Sequence, residues 1–372
     1  MRHKTARAYE RPDIAELYET CNDETAIIGY IQVILVKMLC AGSLDIPPVR
    51  YDVRLDRSNG KTRIIAIEHI TQQIIDYIAY NGLEELMPYI GHYQIACRDG
   101  MGPLYGTHVI YQWMQDKSIR YAIKADMQKC YPSIKHDMIM AFLLHRVAND
   151  NLLKLIHALL VFNSNGIVSR HLQSMLVEHP ELQEQIDLAR SGLPIGSVLS
   201  IRLCALYLAQ IYHLAEGSYF YTRRGQNINT YQHVMINLDD LYLFGSNARQ
   251  MNMAMSQLIK TTHDRYGLTI KQDWQLIDLS YKHKDAHIDV LGYRIYHDRV
   301  TMRHRDYLKC RHALKRYKRH RNVHNARSLV SYDGMFRKHT NSIRFCEKYN
   351  VYRIVRKARK TISKHDKSTI RN

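Results

Sequence analysis

The sequence predicts an α+β fold in which an antiparallel sheet is backed by helices. Three observations carry that reading. The run His233-Val-Met-Ile-Asn-Leu-Asp-Asp-Leu-Tyr-Leu-Phe-Gly245 sets Asp239-Asp240 between two apolar stretches that read as strands, so a tight hairpin presents both carboxylates at its tip. A separate apolar strand, Tyr121-Ala-Ile-Lys-Ala-Asp126, ends in a third aspartate. Helical spacing of apolar residues fills the segments before, between and after these strands.

Taken in order, residues 13–42 read as helices, the second strongly apolar. Tyr51 to Ile67 reads as a strand pair, because Arg57-Ser-Asn59-Gly60-Lys61 contains the Asn-Gly hairpin signal. A helix follows over Thr71–Glu85, residues 92–105 are glycine-rich and irregular, and His108–Trp113 opens another helix. After the Asp126 strand come a helix over about 137–148 and helical material through 151–190. Ser191–Gly196 is a turn that starts a long helix to about His213. Ala248–Tyr266 is helical, Val290–Tyr296 is a strand or turn, and the remainder is basic helix. Neither an internal repeat nor a low-complexity segment is present.

A chain of 372 residues can bury a large core, in two or three subdomains. Its net charge of +18 is uneven: residues 303–372 carry 22 Lys/Arg against 4 acids, and residues 1–302 carry 31 of each. So dense a basic block needs an anionic partner or stays solvated. Interleaved tyrosines and histidines favour a folded element gripping phosphates, as does helical spacing over 342–357 (Ile343, Phe345, Cys346, Tyr349, Val351, Tyr352, Val355). Seven cysteines without C-x-x-C spacing argue against zinc and disulfides and for a reducing cytoplasm. The best apolar run, Ala26 to Gly42, is interrupted by Gln32 and Lys37, so no membrane span is expected, and Met1-Arg-His-Lys-Thr does not open a signal peptide. Helix 15–42 reads as core packing, with docking of a partner subunit as the other reading.

Burying adjacent carboxylates is costly unless a cation neutralises them. Aspartates at a hairpin turn are ordinary, but Asp126 joining Asp239 and Asp240 makes a ligand set for two Mg²⁺ ions, with Mn²⁺ as a substitute, that clamp a nucleotidyl transfer.

In that light the chain resembles a reverse transcriptase over roughly residues 50–345. Lys61-Thr-Arg63 followed by Gln72-Gln73 resembles the fingers motif for the incoming triphosphate, and Ala96-Cys-Arg98-Asp-Gly100-Met-Gly102 the next finger segment. The Asp126 block and Leu238-Asp-Asp240 resemble the two catalytic palm motifs. Gly192-Leu-Pro194-Ile195-Gly196-Ser197-Val-Leu-Ser200 resembles the template- and nucleotide-positioning motif, Gly267-Leu-Thr-Ile-Lys271 the motif after it, and Leu291-Gly-Tyr293 the primer grip. Ser331-Tyr-Asp-Gly334 with the basic helices looks like a bacterial thumb.

The resemblance implies a right-hand polymerase fold: N-terminal helices and fingers over 1–120, palm over 121–300 with a helical insertion around 150–190, and a basic helical thumb over 301–372. Asp126 and Asp239 would bridge both metals, Asp240 would be auxiliary, and the Met127 carbonyl would complete a shell. Tyr131 would exclude a 2′-hydroxyl, Lys61 and Arg63 would pair with phosphates, and Lys271 is either a general acid or a surface lysine. Pro194, Ile195, Gly196 and Ser197 would position substrate, Gly196 by letting the backbone approach the base pair, while Ser197 and Ser200 would hydrogen-bond backbone groups of either the template or the helix. Ile195 stands where many relatives carry Gln, Asn237-Leu238 precedes the aspartate pair, and Ile201 follows Ser200. These departures suggest lower fidelity and a bacterial enzyme of a defence-associated or unclassified group, or of the diversity-generating retroelement type. No nuclease or intron DNA-binding region is expected after the thumb. The implied partners are dNTPs, a structured non-coding RNA template, the DNA product and its RNA–DNA hybrid, and an accessory protein or second copy; no membrane partner is implied. The rival reading is a non-catalytic RNA-binding scaffold.

Overall fold

The computed structural model describes residues 11–56, 60–281, 285–337 and 340–371. The Arg57-Ser58-Asn59 part of the expected hairpin turn and the N-terminal Met1–Thr5 lie outside the described residues.

A four-stranded antiparallel sheet sits at the centre, in the order β7-β8-β3-β9: β3 is Tyr121–Asp126, β7 His233–Asn237, β8 Asp240–Gly245 and β9 Gln275–Asp278. Its strands are apolar on both faces because both faces are covered. Ile123, Ala125, Val234, Ile236, Leu241 and Leu243 enter the larger core, which they share with helices α6 (His136–Leu144), α7 (Asp150–Ser164), α10 (Val198–Gly217) and α11 (Ala248–Tyr266). Ala122, Met235, Tyr242 and Phe244 point the other way, into a second core with α4 (Pro103–Trp113) and the sheet β10-β11-β12 (His287–Val290, Tyr293–Tyr296, Val300–Met302). Strand alternation therefore decides which residues share a face with Asp126 and Asp240.

Ahead of this sheet lie α1 (Pro12–Thr20), α2 (Glu24–Ala41), the hairpin β1 (Arg50–Asp56) and β2 (Lys61–Ile67), α3 (Ile70–Gly82) and a 3₁₀ turn Glu84–Tyr89. The expected helix to Glu85 thus divides at Leu83, and α4 begins at Pro103 rather than His108, since Pro suits the first helical turn. Strand β4 (Ile167–Val168) pairs parallel to β1 and separates α7 from α8 (Arg170–Glu178) and α9 (Leu182–Ser191), so residues 151–190 are not continuously helical. A further hairpin, β5 (Phe220–Arg223) with β6 (Gln226–Asn229), turns at Arg224-Gly225, both at positive φ.

Among the described residues two helices are long and apolar enough to cross a membrane by length and composition: α10, which is mostly buried in the core, and α2, which is mostly exposed. On α2 only Ile31, Ile34 and Met38 are buried, while Ile28, Val33 and Val36 are exposed. Core packing therefore accounts for one stripe of that helix and not for the rest.

At the C-terminal end, α12 (His304–Arg319), α13 (Val323–Arg337), α14 (Thr340–Lys348) and α15 (Val351–Arg371) bury a core of their own. Cys310, Ala313, Leu314 and Tyr317 follow helical spacing on α12, as do Val351, Val355 and Ala358 on α15. The basic block is folded rather than a solvated tail. The expected continuous helix over 342–357 breaks at Asn350, which takes a positive φ, and Ile343 and Tyr352 are exposed.

Candidate active site

The β7–β8 hairpin turns through Leu238-Asp239, with Leu238 at φ +57, a left-handed conformation that a two-residue turn requires. Asp240 is the first residue of β8 and pairs directly across the sheet with Asp126, the last residue of β3. The Met127 N–H donates to the Asp239 carbonyl at 2.9 Å and ties the turn to the end of β3. The three aspartates, distant in sequence, are thus brought to one end of the sheet.

Burial pushes the Asp239 carboxyl above the usual carboxylate range, and the charges of Asp126 and Asp240 push the same way. Asp240 is raised by burial first; a hydrogen bond from the Tyr242 hydroxyl to its Oδ2, at 3.0 Å, opposes the shift. The Lys271 ammonium donates to Asp126 Oδ2, and that bond raises the Lys271 pKa. Lys271 is held there by its own N–H to the Asp126 carbonyl, at 2.9 Å.

Among the described residues no three acidic, thiol or imidazole side chains are already drawn together as a metal shell. The donor chemistry nonetheless fits a hard divalent cation: three aspartates lie at one end of the sheet, two resist ionisation chiefly because they are buried and also because of the Asp126 charge, and the third already holds a cation. Asp126, Asp239 and Asp240 would hold the ions, which supply Lewis acidity and neutralise phosphate charge.

Tyr131 lies on the short helix α5 (Cys130–Ser133), after Lys129 at positive φ. It is half-buried and lines a cleft with Leu238, Cys97, Ile201 and Cys204. Its carbonyl accepts from Leu193 N at 3.1 Å, which joins it to the loop 194–197. In that loop Pro194 is buried, Ile195 half-buried and Gly196 exposed. The Ile195 carbonyl accepts from Ala66 N on β2 at 2.7 Å. Gly196 takes φ +122, and a Cβ there would fall 2.4 Å from the Ala66 oxygen.

Ser197 bonds helix backbone, one of the two roles open to it from the sequence. It is buried, caps α10 by accepting from Ser200 N, and donates to Asp76 Oδ2, so its hydroxyl holds the loop instead of facing a nucleotide. Arg63 and Lys61 are exposed on β2. The Arg63 charge reaches Asp239 and favours its ionised form, whereas Lys61 is the first residue of β2, opposite Asp56 in the strand register at the far end of the hairpin.

Four residues of the site were missed from sequence. Lys124 and Tyr242 lie two positions from Asp126 and Asp240, on the same sheet face, so strand alternation would have found them. Asp289 and Arg303 come from distant segments and carry no such signal. Lys124 Nζ donates to the Asp289 carbonyl at 3.1 Å, Arg303 pairs with the Asp289 carboxylate, and both cations favour ionised Asp240. They connect the β10–β11 hairpin and the start of α12 to the carboxylates.

A sheet end with three convergent carboxylates, a flanking hairpin carrying Arg63 and a basic helical bundle together define a nucleotidyltransferase acting on nucleic acid. Residues 55–295 match the family of reverse transcriptases (RNA-dependent DNA polymerases), and the chain belongs to that family. No curated protein matches the chain significantly. The protein is an RNA-directed DNA polymerase, with RNA template, DNA product and dNTPs as its partners and a divalent metal as the family's general requirement.

Proposed function

We propose that this enzyme adds dNTPs by two-metal nucleotidyl transfer, with Asp126, Asp239 and Asp240 as the metal-holding residues. The observation that carries this is the direct pairing of Asp126 with Asp240 beside the Asp239 turn. Ions held by these residues would supply Lewis acidity that lowers the pKa of the primer 3′-hydroxyl and positive charge that neutralises the triphosphate. This chain's part is to place the reactants: Arg63 and Lys61 meet the triphosphate, Tyr131 lies against the sugar, and Pro194-Ile195-Gly196 backs the nascent base pair. Lys271, bonded to Asp126 and with its pKa raised by that bond, is placed to give its proton to the pyrophosphate leaving group. The exposed Arg316, Arg319, Arg353, Arg356, Lys357 and Lys360 of α12 and α15 give phosphate contacts to the hybrid. Extension of a labelled primer on RNA and on DNA templates of the same sequence tests the assignment; the expected result is templated product on RNA.

The biological setting we propose is antiphage defence, in a reducing cytoplasm, with a dedicated structured RNA as template. It is supported by the departures Leu238-Asp-Asp and Ser200-Ile201, and Ile195 before Gly196 also suits a mutagenic retroelement enzyme. Phage plating on cells carrying the wild-type gene or Asp239→Ala separates the two: protection lost with Asp239→Ala supports defence, and equal plating rejects it.

A further inference from the structure

Beneath the positioning loop lies a polar pocket that none of the chemistry above uses. Glu68, Gln72, Asp76, Asn163 and Ser197 are all buried, with Asp76 and Gln72 at 0% exposure. Ser197 Oγ donates to Asp76 Oδ2 at 2.5 Å, and Gln72 Nε2 donates to Asn163 Oδ1 at 2.9 Å and towards Glu68 Oε1 at 3.5 Å. The second Asp76 oxygen, Oδ1, is buried without a donor among the other described residues. The Glu68 carboxyl faces Asp76 closely enough to hydrogen-bond it.

Two buried carboxylates in contact would repel by several kcal/mol, in order of magnitude, with no cation between them. One proton between them removes that repulsion and turns Glu68 into the donor for Asp76. Resting on the reading of 194–197 as the nucleotide-positioning loop, we propose that Glu68 and Asp76 are positioning residues, a proton-sharing carboxyl pair that fixes the loop through Ser197. The chain of bonds is short. Protonated Glu68 would hold Asp76, which it faces together with Ser197; Asp76 holds the Ser197 hydroxyl, and Ser197 caps α10 next to Gly196. On the other side Ala66 N, two residues before Glu68, holds the Ile195 carbonyl. One latch therefore sets the loop against β2, the strand that carries Arg63.

Burial, first, and the Asp76 charge hold the Glu68 carboxyl well above its ordinary range. A carboxyl raised in this way stabilises the fold while protonated and loses that contribution as pH rises through its raised value. The other groups facing the pair are few. Arg11 sends its charge towards Glu68 and is tied down by Asp13, and the Tyr51 hydroxyl feels both Glu68 and Arg190. Arg11 favours ionised Glu68, but burial outweighs it.

The test is primer extension with dNTP KM and kcat measured separately from neutral to mildly alkaline pH, for wild type, Glu68→Gln, Ser197→Ala and Ser197→Thr. Wild-type KM should climb as pH rises, while Glu68→Gln, which keeps a donor at every pH, should stay flat. Ser197→Ala should raise KM about fivefold to tenfold at neutral pH, equivalent to one hydrogen bond, with kcat changed less, and Ser197→Thr should restore it. Parallel KM profiles for wild type and Glu68→Gln, or an unchanged KM in folded Ser197→Ala, overturn the latch. Hydrogen exchange of 195–200 gives a reading independent of activity: Ser197→Ala must lose protection there, and unchanged protection also overturns it. Absence of extension by wild type would instead overturn the loop's assigned role.

Discussion

Replacing Gly196 by Ala tests how tightly the positioning loop is set. At φ +122 a residue with a Cβ is strained by about 1–3 kcal/mol. The added Cβ would also sit 2.4 Å from the Ala66 oxygen, so β2 must move and the Ala66 N to Ile195 O bond must lengthen. Losing that bond adds about 1 kcal/mol. If the whole of about 2–4 kcal/mol falls on the arrangement that receives dNTP, kcat/KM drops about 30- to 1000-fold. Gly196 is exposed, so the loop can relax away from β2 when no substrate is bound, and the variant should still melt cooperatively within a few degrees of wild type. The assay is single-nucleotide incorporation under dNTP-limiting conditions, with melting followed in parallel. A folded Ala variant within about threefold of wild type would refute the claim that the loop is clamped to β2.

Other consequences follow from the carboxylates and the residues around them. Asp239 and Asp240 are raised first by burial and then by the Asp126 charge, so the stability they lend when protonated is lost as pH rises through their raised values. In chelator, the Asp239→Asn, Asp240→Asn double variant should melt about 1–3 °C above wild type at neutral pH, with the gap closing in mild acid, as thermal melts would show. Adding Mg²⁺ should raise the melting temperature of wild type but not of the double variant. Tyr242→Phe removes the donor on Asp240 Oδ2 and should raise the Mg²⁺ needed for half-maximal extension about threefold to tenfold, read from a metal titration. Tyr131→Ala should raise incorporation of ribonucleotides relative to deoxyribonucleotides about tenfold or more in a competition assay.

Much of the palm is legible in the sequence because burial on both faces of the sheet leaves continuous apolar runs that end in charge. Val234 to Ile236 and Leu241 to Phe244 show this, and the four residues between them, Asn237 to Asp240, are short enough to force a hairpin whose turn is Leu238-Asp239. Asp126 opposite Asp240 is one step further and depends on register, which only the structure gives. The edge strand β9, Gln275-Leu-Ile-Asp278, and the polar β5–β6 hairpin escaped notice because neither is a buried apolar run. For Ser197 the motif names a residue type and leaves template and helix contact both open, while its orientation depends on Asp76 from a helix 121 positions away. The same holds for Glu68 and Asp76, whose contact is tertiary. In the basic block, helical spacing revealed a folded element, but the break at Asn350 depends on a left-handed residue that spacing cannot reveal.

The most direct test of the account is single-turnover extension of a primer on an RNA template with Mg²⁺, comparing wild type with Asp126→Asn, Asp239→Asn and Asp240→Asn. If the three carboxylates hold the catalytic ions, all three variants bind the hybrid as wild type does, with Asp126→Asn and Asp239→Asn slower by about 10³-fold or more and Asp240→Asn less affected. Wild-type rates in Asp126→Asn or Asp239→Asn, with hybrid binding intact, would contradict it.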